Sequence, residues 1–310
     1  MTLAELNQKF GIPDHLCFSE GAGGLLLAQV RNALAQSDMA LQGAHVVSFC
    51  PHGQAPVLWL SPQARFEPGK AIRGGVPVCW PWFGAHTSDA RLPAHGFARN
   101  AVWEVLETRA LPSGETFLRF GLPESRVPKA AWPHASSVQL EITVGTALRL
   151  VLVTHNTGQA PFVLGEALHA YFHISDVAGV RIDGLQGCEF LDKMADSTRT
   201  RQHGPVLIER ELDRVYLNTA TDCLIEDPGL QRRIRIATQG AGATVVWNPW
   251  IDKAARMDDL GPEGYRSMVC VETANVADSV VTVLPGEVHR MEAVYSLEPL
   301  QDVRKQLFNL

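Results

Sequence analysis

Between Leu168 and Ile174 the chain reads Leu-His-Ala-Tyr-Phe-His-Ile. In extended backbone His169, Tyr171 and His173 share one face, and Ala170 and Phe172 share the other. Two imidazoles and a phenol make a face too polar for plain core, so this segment is expected to line a cavity. A single acid–base histidine oriented by its neighbours is the favoured reading. The His-x-x-x-His spacing also suits a metal, but H-E-x-x-H is absent and no cysteine or carboxylate ligand is obvious nearby, so no metal is expected. More than a hundred positions later comes Val-Cys-Val-Glu-Thr-Ala-Asn, residues 269–275. Glu272 is read as ending an apolar strand, where a half-desolvated carboxyl can serve as a general base. A structural pairing with a buried arginine is the alternative.

The segment from Ile72 to Asn100 holds I-R-G-G-V-P-V-C-W-P-W-F-G and then H-G-F-A-R-N. Gly74 and Gly75 permit positive φ and close approach to a ligand, while Pro77 and Pro81 stiffen the loop. Arg73 and Arg99 stand near its two ends. Their planar forks suit a carboxylate or phosphate, and Trp80, Trp82 and Phe83 offer flat faces for a sugar ring. Two further elements stand out: Trp247-Asn-Pro-Trp250, read chiefly as a packed turn, and Leu212-Asp213-Arg214, a charged pair opening a strand.

These residues need a scaffold, and the pattern says which. Val138, Leu140, Ile142 and Val144 alternate with polar neighbours, then a Gly145-Thr146 turn leads into Leu148–Val153, a hairpin. Similar strands are expected at 102–107, 116–121, 180–182, 232–237, 244–247, 268–272, 280–284 and 291–297. Short helices are expected near Leu3–Phe10, over 253–259 and over 302–308. Closely spaced strands with few helices imply an all-β sandwich or barrel. No repeat or linker interrupts the 310 residues, so one domain over 1–310 is expected, with a lead-in over 1–20 and a helical tail over 299–310.

Hydrophobic content of 46% supports a core, and a net charge of −6 without a basic run argues against nucleic acid. A globally negative chain that binds an anion must do so through a few local cations. The first ten residues lack the apolar core of a leader, and no run of about 18 apolar residues exists, so a cytoplasmic protein with no membrane partner is expected. Six scattered cysteines without a C-x-x-C pair fit reduced thiols. Dinucleotide, nucleoside-triphosphate and serine-hydrolase motifs are absent, and no cofactor is expected.

The ordered series Arg73-Gly-Gly-Val-Pro, Trp80-Pro-Trp-Phe-Gly, His95-Gly-Phe-Ala-Arg99-Asn, His169-Ala-Tyr-Phe, Asp213-Arg-Val-Tyr, Trp247-Asn-Pro-Trp with Lys253 and Met257, and Val271-Glu272 resembles one family. It is that of the glucose-6-phosphate 1-epimerases, or hexose-6-phosphate mutarotases, in the aldose 1-epimerase (galactose mutarotase-like) superfamily. The resemblance runs from about Gly43 to Leu297. It implies a large antiparallel β-sandwich and a cofactor-free interconversion of α and β anomers; a monomer acting on a small sugar phosphate is expected. His169 then matches the catalytic histidine and Glu272 the catalytic glutamate. Arg73 and Arg99 match phosphate contacts, Asp213 an acidic substrate contact, and His95 a sugar or phosphate contact. Some relatives carry Gln where this chain has Ala94. Alternatives at this stage are a mutarotase for free hexoses such as galactose, a non-catalytic carbohydrate-binding sandwich, and a cupin-like metal enzyme using His169 and His173.

Overall fold

The computed structural model describes residues 1–219 and 221–300. The chain enters through a helix, Leu3–Phe10, closed by a reciprocal capping box in which Thr2 accepts from the Glu5 amide and Glu5 accepts from the Thr2 amide. Leu6 and Phe10, four apart, are its buried residues. A four-stranded antiparallel sheet follows, spanning Leu16–Glu20, Leu26–Arg31, Ala35–Ala40 and His45–Pro51. Alternation did not announce it. The third strand reads Ala-Gln-Ser-Asp-Met-Ala, and its buried Ser37 is satisfied by donating to the Ser48 carbonyl (2.6 Å) rather than by apolar packing.

Two eight-stranded sheets make up the body. One runs Arg181–Asp183, Cys223–Asp227, Arg232–Gln239, Val288–Pro299, Leu148–Asn156, Ser136–Val144, Thr116–Gly121 and Glu104–Ala110. The expected hairpin lies here, with Val144 opposite Leu148. The other, which carries the site, runs Thr198–Arg201, Glu189–Asp192, Leu212–Leu217, Ala243–Asn248, Met268–Asn275, Glu166–Leu168 and Val78–Cys79, with Tyr171–His173 also paired to Met268–Asn275. The sheets meet through a shared core in which Phe172 stands edge-on to Tyr295 at 5.0 Å and Trp80 donates to Thr154 Oγ1 at 3.1 Å. Each large apolar side chain buried here contributes about 1.5–3 kcal/mol.

All eight residues of Met268–Asn275 are buried, so both faces of this strand are covered. Glu272 therefore lies inside the strand and not at its end, a correction to the sequence expectation. Cross-strand register then selects what surrounds it: Val245 lies opposite Glu272, Trp247 opposite Cys270, and Asp213 opposite Trp247. Directly paired residues share a face. Three separate strands thus present Glu272, Trp247 and Asp213 on one side of the sheet. The second expected helix forms earlier than predicted, over Trp250–Ala254. The third, over 302–308, lies outside the described residues. Among the described residues no helix is long and apolar enough to cross a membrane.

Candidate active site

Glycines let the Arg73 to Arg99 loop pack closely against neighbouring backbone. A Cβ on Gly75 (φ +62°) would lie 2.2 Å from the Val46 carbonyl oxygen, and one on Gly74 would lie 2.5 Å from that of Trp59. The close approach that these glycines permit is to backbone, not to a ligand as expected from sequence. Gly96 (φ +72°) plays the same part, since its Cβ would sit 1.9 Å from Trp80 O. Next to it His95 adopts φ +65°, a strained conformation for a residue with a side chain. Its amide donates to Gly84 O at 2.7 Å, and its Nδ1 accepts from the Gly84 amide at 3.4 Å. The His95 ring thereby stands edge-on to Phe83 (4.5 Å) and 5.8 Å from His169.

His169 sits in the break between Glu166–Leu168 and Tyr171–His173, anchored by its amide to Pro77 O at 3.0 Å. Its ring stacks on Tyr171 (5.0 Å, 12°) and meets Trp247 edge-on at 6.1 Å. Its Nε2 lies 3.3 Å from Glu272 Oε1. Tyr171 in turn accepts from Arg73 Nη1 at 3.0 Å, and Asp259 holds the same guanidinium through Nε (3.2 Å) and Nη2 (3.1 Å). Arg99 donates to the Ala94 carbonyl at 2.9 Å, while its Nε is buried without a partner. Asp213 pairs with Lys193 (3.2 Å), and Lys253 pairs with Glu211 (2.7 Å).

These side chains enclose one cavity of about 270 Å³, lined by Arg73, Phe83, Gly84, His95, Arg99, His169, Tyr171, Lys193, Asp213, Val245, Trp247, Lys253 and Glu272. All six residues singled out from sequence (Arg73, His95, Arg99, His169, Asp213 and Glu272) thus face one space. Four cations stand against two carboxylates there, in a chain of net charge −6. Burial pushes the Glu272 carboxyl well above the usual carboxylate range. Burial, helped by His95, Arg99 and Arg73, holds His169 well below the usual imidazole range. Burial and the cations Arg99, Lys193 and Arg73 bring His95 down to about 3, so it is neutral at pH 7. With Nδ1 taken by Gly84, its Nε2 carries the proton and is a donor.

Several sequence expectations change here. His173 does not line the cavity; the charged groups acting on it are Arg232 and Asp227. The chain breaks its extended run at His169 and Ala170, which dissolves the expected three-residue face. Trp80 is fully buried core, and Trp82 packs against His86 and Phe97, which leaves Phe83 as the aromatic of that loop at the cavity. Trp247 lines the cavity, whereas Trp250 packs on Tyr265. Cys270 and Glu272 do lie beside His169, contrary to the view that no such ligand is near. Lys193 was missed altogether. It opens a one-turn 3₁₀ segment between Asp192 and Met194, with no local pattern to mark it.

The family model for aldose 1-epimerase matches residues 27–296. The chain belongs to the aldose 1-epimerase family. Among family relatives, an Escherichia coli K12 protein provisionally assigned as a glucose-6-phosphate 1-epimerase is 37% identical over 269 residues, covering 86% of this chain and 89% of its own length. The crystal structure of a provisionally assigned mutarotase from Salmonella typhimurium superposes with a TM-score of 0.86 at 32% identity, covering 94% of this chain and 96% of that one. A galactose mutarotase-like protein from Clostridium acetobutylicum shares the fold at 14% identity, with a TM-score of 0.69 over 92% of this chain and 98% of that one. The all-β, galactose mutarotase-type architecture expected from sequence is therefore the one this family member has.

Proposed function

We propose that this epimerase interconverts the α and β anomers of a hexose 6-phosphate, glucose 6-phosphate foremost, with Glu272 and His169 as the acid–base pair. The observation that carries the reading is the 3.3 Å contact between His169 Nε2 and Glu272 Oε1 on the wall of a cation-rimmed cavity. Anomer exchange moves a proton off the anomeric hydroxyl and another onto the ring oxygen, two atoms bonded to the same carbon. Neighbouring acid and base groups suit that demand better than groups at opposite edges of a ring.

The pair needs a single proton. With Glu272 ionised and His169 protonated, Glu272 removes the proton from O1 while His169 protonates the ring oxygen, and the pyranose opens. The pair is then a neutral carboxyl beside a neutral imidazole, the state that burial favours at both groups. After rotation about C1–C2, Glu272 returns its proton to O1 and His169 takes one from the attacking hydroxyl. The starting state is restored. The remaining groups hold the sugar. Asp213 accepts from ring hydroxyls, His95 Nε2–H donates, and Trp247 and Phe83 offer flat faces. Arg99, with Lys193 lining the same cavity, takes the phosphate, using binding remote from C1 to hold the ring in place.

The relatives named for glucose 6-phosphate and the excess of cations at the cavity both favour a phosphorylated sugar over free galactose. The test is anomer exchange of glucose 6-phosphate followed by NMR. Glu272→Gln is expected to slow it by about 10²–10⁴-fold with the fold intact. A folded Glu272→Gln protein that exchanges anomers like the parent would overturn the assignment.

A further inference from the structure

On the Met268–Asn275 strand Cys270 falls on the same face as Glu272, two positions before it. The Cys270 sulfur, a ring nitrogen of His169 and a carboxylate oxygen of Glu272 all lie within 4.8 Å of one another, and all three residues are buried. Two polar atoms of this cluster, Glu272 Oε2 and His169 Nδ1, are buried with no hydrogen-bond partner. The pair therefore has lone pairs that its mutual contact does not use.

We propose that Cys270, His169 and Glu272 form an inhibitory site for a thiophilic divalent cation, with zinc as the best fit. A mixed sulfur, nitrogen and oxygen donor set is one that zinc accepts, at bond lengths of about 2.0–2.3 Å, whereas magnesium and calcium demand oxygen. Charge balance supports the assignment. A thiolate, a carboxylate and a neutral imidazole around a dication sum to zero, the favourable total for a buried site. Two protons leave as one metal enters: the thiol proton of Cys270 and the one shared by His169 and Glu272. Two of the three ligands, His169 and Glu272, line the sugar cavity. The metal takes the atoms that would move protons, so its effect is loss of exchange. That loss rests on the acid–base reading above; the binding itself does not.

The experiment uses the full chain carrying Cys17→Ser, Cys50→Ser and Cys188→Ser, which leaves the buried thiols. Zinc is titrated in competition with a chromophoric chelator. The expected result is one zinc per chain, with anomer exchange lost in proportion and restored by EDTA. Adding Cys270→Ser, or Cys270→Ala as a second variant, should leave metal-free exchange near the parent rate. Zinc affinity should fall by at least the ten- to hundredfold typical of losing even an outer-layer partner. With cadmium, the ultraviolet thiolate-to-metal band should appear in the parent background and vanish in both Cys270 variants. No stoichiometric zinc, or equal affinity with and without Cys270, overturns the site. Stoichiometric zinc with undiminished exchange overturns the inhibition and counts against the acid–base assignment, while the site stands.

Discussion

Arg73 Nη1 donates to the hydroxyl of Tyr171 at 3.0 Å, and the ring of Tyr171 lies flat against His169. A residue expected from sequence to be a free phosphate anchor is thereby built into the support of the proposed acid–base pair. Asp259 reinforces this from the other side, and together they hold the guanidinium firmly charged despite its burial. Arg99 differs, because it makes no ion pair among the described residues and keeps a buried, unpartnered Nε.

The two arginines should therefore fail differently when removed. Arg99→Ala is expected to raise KM for glucose 6-phosphate by about ten- to a hundredfold, in line with losing a charge-assisted contact of roughly 1.5–3 kcal/mol, and to leave turnover of free glucose near the parent value. Arg73→Ala should depress kcat on both sugars, because Tyr171 and with it His169 lose their support. Steady-state kinetics on the two substrates decide the matter. Loss confined to the phosphorylated sugar in Arg73→Ala would return that residue to the simple anchor role.

Activity should form a plateau with a fall on each side. The acid fall comes when the pair takes a second proton. Since burial holds His169 well below its ordinary value, that limb lies below 6.5. The alkaline fall comes when the pair loses its last proton, which burial at Glu272 delays to well above the ordinary carboxylate range. Both apparent values belong to the coupled pair. Lys193 pulls Glu272 downward, so Lys193→Ala should move the alkaline limb to higher pH. A limb that stays put or moves to lower pH would contradict the electrostatic role of Lys193.

Stability has its own titration. His45 is buried, shares a 2.8 Å hydrogen bond with the Gly74 carbonyl, and is held down to about 4 by burial. The unfolded chain binds a proton there below about 6.5 while the native chain does not. The contribution is thus complete above 6.5, shrinks as pH falls, and levels off below about 4. Over that window the native state loses roughly 3 kcal/mol through this residue. His45→Gln keeps an N–H donor for Gly74 and cannot titrate. Urea unfolding at pH 4.5 and 6.5 should show the parent losing roughly 2 kcal/mol more than the variant. Equal losses would rule His45 out as the acid-sensitive group.

Much of this protein could be read from local pattern. Alternation at 138–144 marked a strand because each inward position is apolar, and the hairpin followed from the turn behind it. The strand Ala35–Ala40 was illegible because it buries a serine satisfied by backbone, which leaves no apolar period. Four of the six candidate residues were legible as unusual types in unusual places: Arg73 and Arg99 beside a Gly-Pro loop, Glu272 in an apolar run and His169 among aromatics; His95 and Asp213 came from the family resemblance alone. What no window of sequence contains is the register. Pairings of Glu272 with Val245, Trp247 with Cys270 and Asp213 with Trp247 join strands far apart in the chain.

The amino-acid sequence by itself determined the all-β class, the family and the residue types from which the cavity is made, because each depends on local periodicity or on ordered motifs. Only the tertiary structure decided that His169 touches Glu272, that Arg73 is engaged by Tyr171 and Asp259, that Lys193 faces the cavity, and that His173 and Trp80 do not. Those outcomes depend on how strands and the loops between them settle against one another. For the strand residues Tyr171, His173 and Glu272 the face is a matter of register, since side chains alternate with a period of two and a shift of one residue would send them to the opposite face.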